Sequence, residues 1–363
     1  MLTNQKKTRK AAQLETVLVG MSGGVDSTVA AFLLKQAGYD VRGAMLRMWK
    51  ATNPEEDWYR KQELLVAEAA AAIGIGFNVI DARKEFQQRV VSYFVEGYAA
   101  GITPNPCFYC NRVLKFAMLQ DYADQESIQW ISSGHYARVL HEADQVRLLR
   151  GVDPQKDQAY MLASLRENQL QRLKLPMGSL TKDETRQIAR QQGFTAVDTE
   201  ESQDVCFLPE GDYASFLRQY SKHVVQPGEI VNQEGKVIGQ HQGLAFYTIG
   251  QRKGLGIFAP EPTYVVAKDI PNNRLIVAKQ AALGNDSFQV SQVNWLAINE
   301  AQLPLDCDIE IRYHSRPIRG EITHIASGKV FVKLQKQARD ITPGQAAVFY
   351  ADDVVLGSGI IDI

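Results

Sequence analysis

The chain has 363 residues, of which 45% are hydrophobic and 22% are charged, a balance typical of soluble globular proteins with two or three domains. Its formal net charge of −1 excludes long-range attraction of the whole molecule to nucleic acid, so such a partner must meet a local basic face. The sequence shows no signal peptide and no apolar run of membrane-spanning length, which predicts a cytoplasmic protein with no membrane partner.

The first predicted element is a buried strand that leads through a glycine turn into a helix. The apolar run Val17-Leu18-Val19 predicts the strand, Ser22-Gly23-Gly24 the turn, and Asp26-Ser27 the start of the helix. Adjacent glycines allow positive φ angles, so successive backbone N–H groups can converge on an anion at the positive end of the helix. No lysine follows the glycines as in the GxxxxGK[ST] loop, and the alternative is an ordinary strand-to-helix turn.

Strands and helices then alternate. Apolar residues between Tyr39 and Trp49 predict a second strand, Glu55 to Ile73 a helix, Gly76 to Asp81 a third strand and Lys84 to Tyr98 another helix. Such βαβ units predict a parallel sheet with right-handed crossovers. Its ligand should lie beyond the carboxyl ends of the strands, where the glycine turn lies.

The pattern breaks at Gly101 to Asn111, where two prolines favour an extended chain. Asn111 is predicted to cap the helix that follows it, which places Cys110 at a helix amino terminus. The helix dipole stabilises a thiolate at that position. Cys110 is therefore predicted to be reactive.

Further along, Gln129 to Arg138 predicts another strand, followed by a hairpin to Leu149. Lys156-Asp157-Gln158 is predicted to open a short helix, and Thr181 to Thr185 has the chemistry of a helix start. The third cysteine, Cys206, lies in the polar-flanked segment Glu201 to Phe207.

From about Pro209 the pattern changes to short β-rich runs separated by turn residues. Tyr264 to Ala278 predicts a hairpin around Asn272-Asn273, and the alternating runs after Lys279 predict a small closed β-barrel. We therefore expect an α/β fold with an N-terminal parallel-sheet nucleotide-binding domain (1–208), a small central β-rich domain (209–278) and a C-terminal β-barrel (279–363).

The string S-G-G-V-D-S resembles the pyrophosphate-binding loop (PP-loop) of the ATP pyrophosphatases, which adenylate a carbonyl oxygen. Along nearly its whole length the chain resembles one family, the tRNA-specific 2-thiouridylases. Eight ordered blocks carry this resemblance: Ser22–Ser27, Thr103–Asn111, Ser133–Ala137, Lys156–Gln158, Ser202–Phe207, Phe246–Leu255, Arg312-Tyr313 and Thr342–Tyr350.

The resemblance implies ATP-dependent replacement of the 2-oxygen of the wobble uridine of tRNA by sulfur. ATP would adenylate the oxygen and so make it a leaving group, with Mg²⁺ balancing the phosphate charge. Cys206 matches the position that carries a persulfide, and Cys110 matches the partner thiol that releases the sulfur by forming a disulfide with it. The sulfur would come from a cysteine desulfurase, a sulfur-relay protein or sulfide.

Binding residues also follow from the resemblance. The positions matched to ATP contacts are Gly20, Met21, Ser22, Gly23, Gly24, Val25, Asp26, Ser27, Leu46 and Gly134. The positions matched to the target base are Asn105, Pro106 and Cys107, and those matched to other tRNA contacts are His135, Lys156, Asp157, Gln158, Arg312, Tyr313 and Gln345. Leu46 stands where the family usually has methionine, and apolar packing is all that this position requires.

Cys107 departs from the family, which often has aspartate there. The local string becomes C-x-x-C, and with Cys206 it could supply three thiolates to a [4Fe–4S] cluster, as in related tRNA thiolases. A persulfide on Cys206 is the preferred expectation, because C-x-x-C alone is a weak metal signal. Cys307 alternates like a strand residue and is expected to be an inert core thiol.

Other interpretations stay open at this point. His135 is equally consistent with a hydrogen-bonded loop histidine, and Arg312 with a solvated charge on the barrel. The glycine loop alone also suits an amidotransferase or an argininosuccinate synthetase-like ligase, neither of which explains Cys110 with Cys206. A non-catalytic tRNA-binding or sulfur-relay protein is the alternative from outside the enzymes.

Overall fold

A computed structural model describes residues 14–49, 58–143, 145–195, 205–208, 213–220, 226–258, 261–339 and 341–362. Its strands are β1 (Thr16–Gly20), β2 (Asp40–Arg47), β3 (Gly76–Asp81), β4 (Trp130–Ser133), β5 (Ala137–His141), β6 (Val146–Arg150), β7 (Leu173–Lys174), β8 (Gly228–Val231), β9 (Val237–His241), β10 (Thr263–Asp269), β11 (Arg274–Lys279), β12 (Asn285–Trp295), β13 (Leu305–Glu310), β14 (Ile318–Ala326), β15 (Lys329–Ala338), β16 (Ala346–Ala351) and β17 (Val354–Asp362). Its helices are α1 (Val25–Gln36), α2 (Trp58–Ile73), α3 (Arg83–Phe86), α4 (Ser92–Ala99), α5 (Pro106–Cys110), α6 (Phe116–Gln125), α7 (Ala159–Leu162), α8 (Glu167–Leu170), α9 (Lys182–Gln191) and α10 (Tyr213–Tyr220). None of these helices is long and apolar enough to cross a membrane.

The first sheet is parallel, with strand order β3-β2-β1-β4-β7. Val17, Leu18 and Val19 in the central strand β1 are fully buried, because helices cover both faces of the sheet. The predicted parallel α/β sheet is therefore confirmed, and β1, β2 and β4 end at the same edge as the glycine turn.

The helix predicted to start after Asn111 begins instead at Pro106, so that prediction is wrong. The Asn105 side chain caps it by accepting a hydrogen bond of 3.0 Å from the Phe108 N–H, and Pro106 occupies the first helical position. The helix runs on through a π-helical turn (Asn111–Lys115) into α6. Cys110 thus lies inside the helix, where the amino-terminal dipole argument does not apply.

The central sheet has strand order β10-β11-β8-β9. The predicted hairpin is confirmed as β10–β11, with Asn273 in the turn at a φ of +50°. The proposed boundary at 278/279 falls within β11, and residue 209 of the boundary at 208/209 lies outside the described residues. Both boundaries stay predictions.

The C-terminal barrel is closed, as predicted, by six strands in the order β12-β15-β14-β13-β16-β17, with β17 pairing back to β12. Cys307 is fully buried in its core. The hairpin β5–β6 extends the barrel sheet, since Leu149 pairs with Val354. The Arg150 guanidinium fixes this junction by bonding the Glu310 carboxylate at 3.0 Å.

Candidate nucleotide and thiol site

The glycine loop joins the end of β1 to the start of α1. Gly23 adopts a φ of +82°, and a Cβ atom there would lie 2.8 Å from the Gln62 Oε1 atom. Gly24 is the N-cap residue and provides no side-chain cap. The first N–H groups of α1 are therefore available to an anion, as the sequence predicted for a phosphate loop.

Ser27 holds the loop in shape through two hydrogen bonds. Its hydroxyl accepts from the Ser22 N–H at 3.2 Å and donates to the Gly24 carbonyl oxygen at 3.1 Å. The side chain is 4% exposed, so these bonds compete with little water. Ser27 thus folds the loop over the helix amino terminus.

The Asp26 carboxylate is held by groups that the sequence did not indicate. The Lys182 ammonium donates to its two oxygens at 2.7 and 2.9 Å, and the Tyr136 hydroxyl donates to Oδ1 at 2.8 Å. Lys182, at the start of α9, is 5% exposed. Because the lysine compensates the carboxylate, the loop does not repel phosphate. In the sequence Lys182 stands out only as part of a helix-start motif.

Gly134 follows β4 and packs directly on the amino terminus of α1. A Cβ atom at this position would lie 2.6 Å from the Ser27 backbone nitrogen and 2.8 Å from the Asp26 carbonyl carbon. Backbone atoms cannot move aside as a flexible side chain can, so only glycine allows this approach. The contact joins two strand ends into one site.

A cavity of about 270 Å³ opens between these strand ends. Its lining includes seven of the positions matched to ATP contacts, namely Gly20, Met21, Ser22, Asp26, Ser27, Leu46 and Gly134. Gly23, Gly24 and Val25 shape the loop behind it. Ser133, from the block Ser133–Ala137, lines the cavity as well. The other wall residues were not singled out from the sequence, and they are Lys115, Phe116, Leu119, Ala44, Met45 and Met48. The cavity is concave, largely apolar and provided with a few polar groups, as a small-molecule site requires.

Two residues matched to tRNA contacts, His135 and Gln158, line the same cavity. The Nδ1 atom of His135 lies 2.8 Å from the Ser133 hydroxyl oxygen, and burial, together with the charge of Lys115, lowers the pKa of His135 to about 3. His135 is therefore neutral near pH 7. The Gln158 side chain accepts a hydrogen bond from the Tyr136 N–H at 3.0 Å, which fixes the chain beside Gly134.

Cys107, Cys110 and Cys206 lie within electrostatic reach of Lys115 and form one group, the thiol cluster. Burial raises the pKa of Cys110 to about 12 and that of Cys206 to about 11, and it raises the pKa of Cys107 as well. The predicted dipole-stabilised thiolate at Cys110 is therefore wrong, because this side chain is only 3% exposed and lies inside the helix.

Cys206 reaches the cluster because Phe207 anchors its segment. The Phe207 side chain is 3% exposed, and its ring centroid lies 5.5 Å from that of Phe86 and 5.2 Å from those of Phe94 and Phe216. Cys206 itself remains exposed to solvent, although the protein atoms behind it desolvate its thiolate. The preceding Ser202, Gln203 and Asp204 of the same block lie outside the described residues.

Lys115 connects the cavity with the thiol cluster. It ends the π-helical turn after Cys110 and lines the cavity, and in the described part of the chain no carboxylate pairs with it. Burial opposes its charge, but the three thiols outweigh this effect and raise its pKa. Lys115 is thus a cation at neutral pH. The sequence contains one indication of such a residue: the glycine loop has no lysine of its own, so a cation for the phosphates must come from another part of the chain.

Comparison with protein families gives consistent matches over most of the chain. Residues 15–210 match the model of a tRNA methyl transferase HUP domain, residues 214–279 a tRNA methyl transferase PRC-barrel domain and residues 285–361 an aminomethyltransferase beta-barrel domain. The tRNA-specific 2-thiouridylase MnmA of Chloroflexus aurantiacus is 42% identical over 354 residues, covering 95% of this chain and 98% of that protein. This chain belongs to the tRNA-specific 2-thiouridylase family.

Another 2-thiouridylase, from Synechococcus, is 42% identical over 353 residues, covering 96% of this chain and 98% of its own. Among solved structures, U34-tRNA thiolase NcsA from Methanococcus maripaludis with its [4Fe-4S] cluster has a TM-score of 0.36 and 17% identity over 60% of this chain and 68% of that one. A similarity this low supports no inference about a cluster in this chain.

The three thiols also fail as a cluster site on their own geometry. In the described ranges no three histidine, cysteine or acidic side chains are arranged so that they could hold a metal ion. Lys115 lies within electrostatic reach of the three thiols instead, and its positive charge opposes the binding of a metal cation there. The [4Fe–4S] alternative is therefore not favoured for this 2-thiouridylase.

The remaining positions matched to tRNA lie around the junction with the barrel. Asp157 is 8% exposed and already bonds Arg150 at 3.0 Å and the Gly151 N–H at 2.8 Å. The Gln345 side chain donates to the Thr103 carbonyl oxygen at 2.8 Å and so ties the barrel to the segment that leads to Asn105. Lys156 and Tyr313 are half-buried, Arg312 is exposed, and Asn105 and Pro106 are buried. Their contacts with tRNA stay predictions.

Replacing Lys115 by methionine should slow alkylation of the thiol cluster. The lysine charge lowers the pKa of each thiol, so its removal raises those pKa values further and reduces the thiolate fraction at any pH below about 11. Iodoacetamide labelling of Cys206 between pH 7 and pH 10, followed by peptide mass spectrometry, should show a rate reduced about tenfold. Lys115→Arg is the matched control, and an equal loss in both variants would contradict an electrostatic role.

Proposed function

We propose that this protein catalyses ATP-dependent 2-thiolation of the wobble uridine of tRNA, as a sulfurtransferase of the cytosol. The observation that carries the proposal is that one cation, Lys115, lies between a cavity built on the glycine loop and a cluster containing Cys110 and Cys206. The proposed sites of nucleotide activation and of sulfur delivery are therefore adjacent, with Lys115 common to both. Neither an amide-forming ligase nor a non-catalytic RNA-binding protein needs that arrangement.

In the first step the uridine 2-oxygen attacks the α-phosphorus of ATP. A phosphorus–oxygen bond to the base forms, the bond to the β-phosphate breaks, and pyrophosphate leaves. In this scheme the N–H groups of the glycine loop and the Lys115 ammonium, which lines the cavity, stabilise the charge on the phosphates. Carbon 2 of the base then carries AMP as a leaving group.

In the second step the terminal sulfur of a Cys206 persulfide attacks carbon 2 and expels AMP. The base is now joined to Cys206 through two sulfur atoms. Cys110, a thiol at neutral pH, loses its proton as its sulfur attacks the Cys206 sulfur, which forms a Cys110–Cys206 disulfide and releases the 2-thiouridine. The two cysteines are oxidised by two electrons and the transferred sulfur is reduced by two. An external thiol reductant restores both thiols, and a cysteine desulfurase or a sulfur relay then transfers sulfane sulfur to Cys206. Sulfide acts instead of the reductant, because its attack on the Cys206 sulfur of the disulfide releases the Cys110 thiol and leaves a persulfide on Cys206.

Magnesium fits this scheme chiefly as a companion of the nucleotide. Asp26 is the acidic residue in the described cavity wall, and Lys182 already compensates its carboxylate. We propose that phosphate oxygens supply most ligands to Mg²⁺ and that Asp26 contributes at most one. The ion would neutralise the phosphate charge when pyrophosphate leaves.

The decisive experiment is nucleoside mass spectrometry of tRNA incubated with the protein, ATP, Mg²⁺ and a sulfur source. We expect 2-thiouridine derivatives that appear only with ATP. The competing reaction is methylation of the tRNA, which would add a methyl group without removing oxygen. A methylated product from a methyl donor, with no ATP requirement, would overturn the proposal.

A Ser27→Ala variant should be impaired in adenylation itself. Loss of the hydroxyl removes the bonds to Ser22 and Gly24 that shape the loop, and each such bond contributes about 1 kcal/mol. We expect ATP-dependent pyrophosphate release to fall about tenfold or more. Thr28→Val is the control, because it removes a neighbouring hydroxyl that bonds the same carbonyl oxygen at 3.0 Å. Equal activity of Ser27→Ala and wild type would contradict the role of Ser27.

A further inference from the structure

A second group of chemistry-bearing side chains lies next to the thiol cluster. Tyr109 stands between Cys107 and Cys110 on α5, and its ring stacks on that of Tyr93 with centroids 4.1 Å apart and planes 16° apart. Both rings line a narrow cleft between this helix and the barrel. Arg112, on the following π-helical turn, lines it as well.

A buried glutamine places a second arginine beside Arg112. The Gln169 amide is 7% exposed; its nitrogen donates to the Arg112 carbonyl oxygen and its oxygen accepts from the Arg166 N–H, each at 3.0 Å. In the described part of the chain neither guanidinium has a hydrogen-bond or ion-pair partner. Burial first, and the charge of Arg166 second, lower the pKa of Arg112. Two guanidinium groups that are held close together with no acidic partner among the described residues repel each other, and a bound anion would relieve this repulsion.

The backbone around the arginines is fixed by the barrel. Asn294 donates hydrogen bonds to the carbonyl oxygens of Ala163 and Leu165 at 3.1 and 2.8 Å, and Ser358 donates to Ala163 at 2.7 Å. Arg166 follows directly. On the barrel side of the cleft, a bulge in β12 places Gln292 at a φ of +52° with its side chain exposed. The cleft is therefore preorganised, and it presents basic, aromatic and amide groups together.

We propose that Arg112, Arg166, Tyr93 and Tyr109 bind a nucleotide adjacent to the modified one in the tRNA anticodon loop. The two arginines take its phosphodiester, and the tyrosine pair offers a stacking surface to its base. The inference rests on the proposed function and names a part of the RNA-binding surface that the family resemblance did not supply. It also provides the local basic face that a chain of net charge −1 requires.

The test is fluorescence anisotropy of a labelled anticodon stem-loop with wild type, Arg112→Gln, Arg166→Gln and the double variant. The double variant should bind about tenfold more weakly, and the slope of log affinity against log salt should fall by about 0.7 for one lost phosphate contact. Tyr109→Leu should weaken binding about five- to tenfold without changing that slope. Arg274→Gln is the charge control, because Arg274 already pairs with Glu229 at 2.9 Å on the central sheet.

Stem-loops with one neutral methylphosphonate beside the target uridine locate the contact. At the correct position, neutralisation should reduce wild-type affinity and salt slope but leave the double variant unaffected. The site would be overturned if neutralisation at every flanking position reduced the affinity of the double variant as much as that of wild type. It would also be overturned if the double variant bound the stem-loop as tightly as wild type, or if its binding to unrelated duplex RNA fell by the same factor. If the wild-type protein still binds and thiolates tRNA under those outcomes, the proposed function stands and only the cleft proposal fails. If the wild-type protein binds no tRNA, both proposals fail. Thermal melting of each variant verifies the fold.

Discussion

A Cys206→Ser variant should form no 2-thiouridine, with a loss of at least about a thousandfold, while ATP-dependent pyrophosphate release with tRNA continues. A serine hydroxyl cannot carry sulfane sulfur, whereas the nucleotide cavity does not include Cys206 in its wall. The fold around the site should persist, because Phe207 anchors the segment through ring contacts that the change does not touch. Nucleoside mass spectrometry and a pyrophosphate assay on the same samples measure both effects.

Cys307→Ala is the control for removal of a thiol. Cys307 is fully buried in the barrel, so we expect a stability loss of about 1 kcal/mol and normal thiolation by the folded protein. If Cys206→Ser still produced 2-thiouridine at the wild-type rate, the persulfide could not be on Cys206. Loss of pyrophosphate release in Cys206→Ser would place this residue in adenylation and contradict the division of the two steps.

A Gly134→Ala variant should bind ATP more weakly. The added methyl group would lie 2.6 Å from the Ser27 backbone nitrogen, so the amino terminus of α1 must move away from β4. Overpacking of this kind costs about 1–3 kcal/mol, and the movement distorts the N–H groups that face the phosphates. We expect the KM for ATP in pyrophosphate release to rise at least about tenfold, together with a lower melting temperature.

Gly76→Ala is the matched control, because among the described residues, its two chain neighbours aside, no atom lies within 4 Å of the position its Cβ would take. It should keep the wild-type KM for ATP and nearly the wild-type melting temperature. A Gly134→Ala enzyme with an unchanged KM would mean that nucleotide does not bind in the cavity between β1 and β4. A lower melting temperature without a change in KM would assign Gly134 to folding alone.

Much of the fold could be predicted because its signals are local. The apolar run at Val17 to Val19, the glycine turn after it and the alternating strands of the barrel each depend on residues close together in sequence. The helix at Cys110 shows where local signals mislead. Asn105 and Asn111 are both good capping residues, and Pro106 at the first helical position decided between them.

The candidate site also has features that local sequence signals predict and features that depend on the tertiary structure. By itself, the sequence determined the order of strand, glycine loop and helix, the family blocks and which cysteines are candidates for sulfur transfer, since all of these depend on contiguous motifs. Only the tertiary structure decided that Lys182 compensates Asp26, that Gly134 abuts Ser27, and that Lys115 lies among thiols whose pKa values are raised. The physical reason is that desolvation, charge pairing and steric contact depend on distances through space, and residues far apart along the chain set those distances.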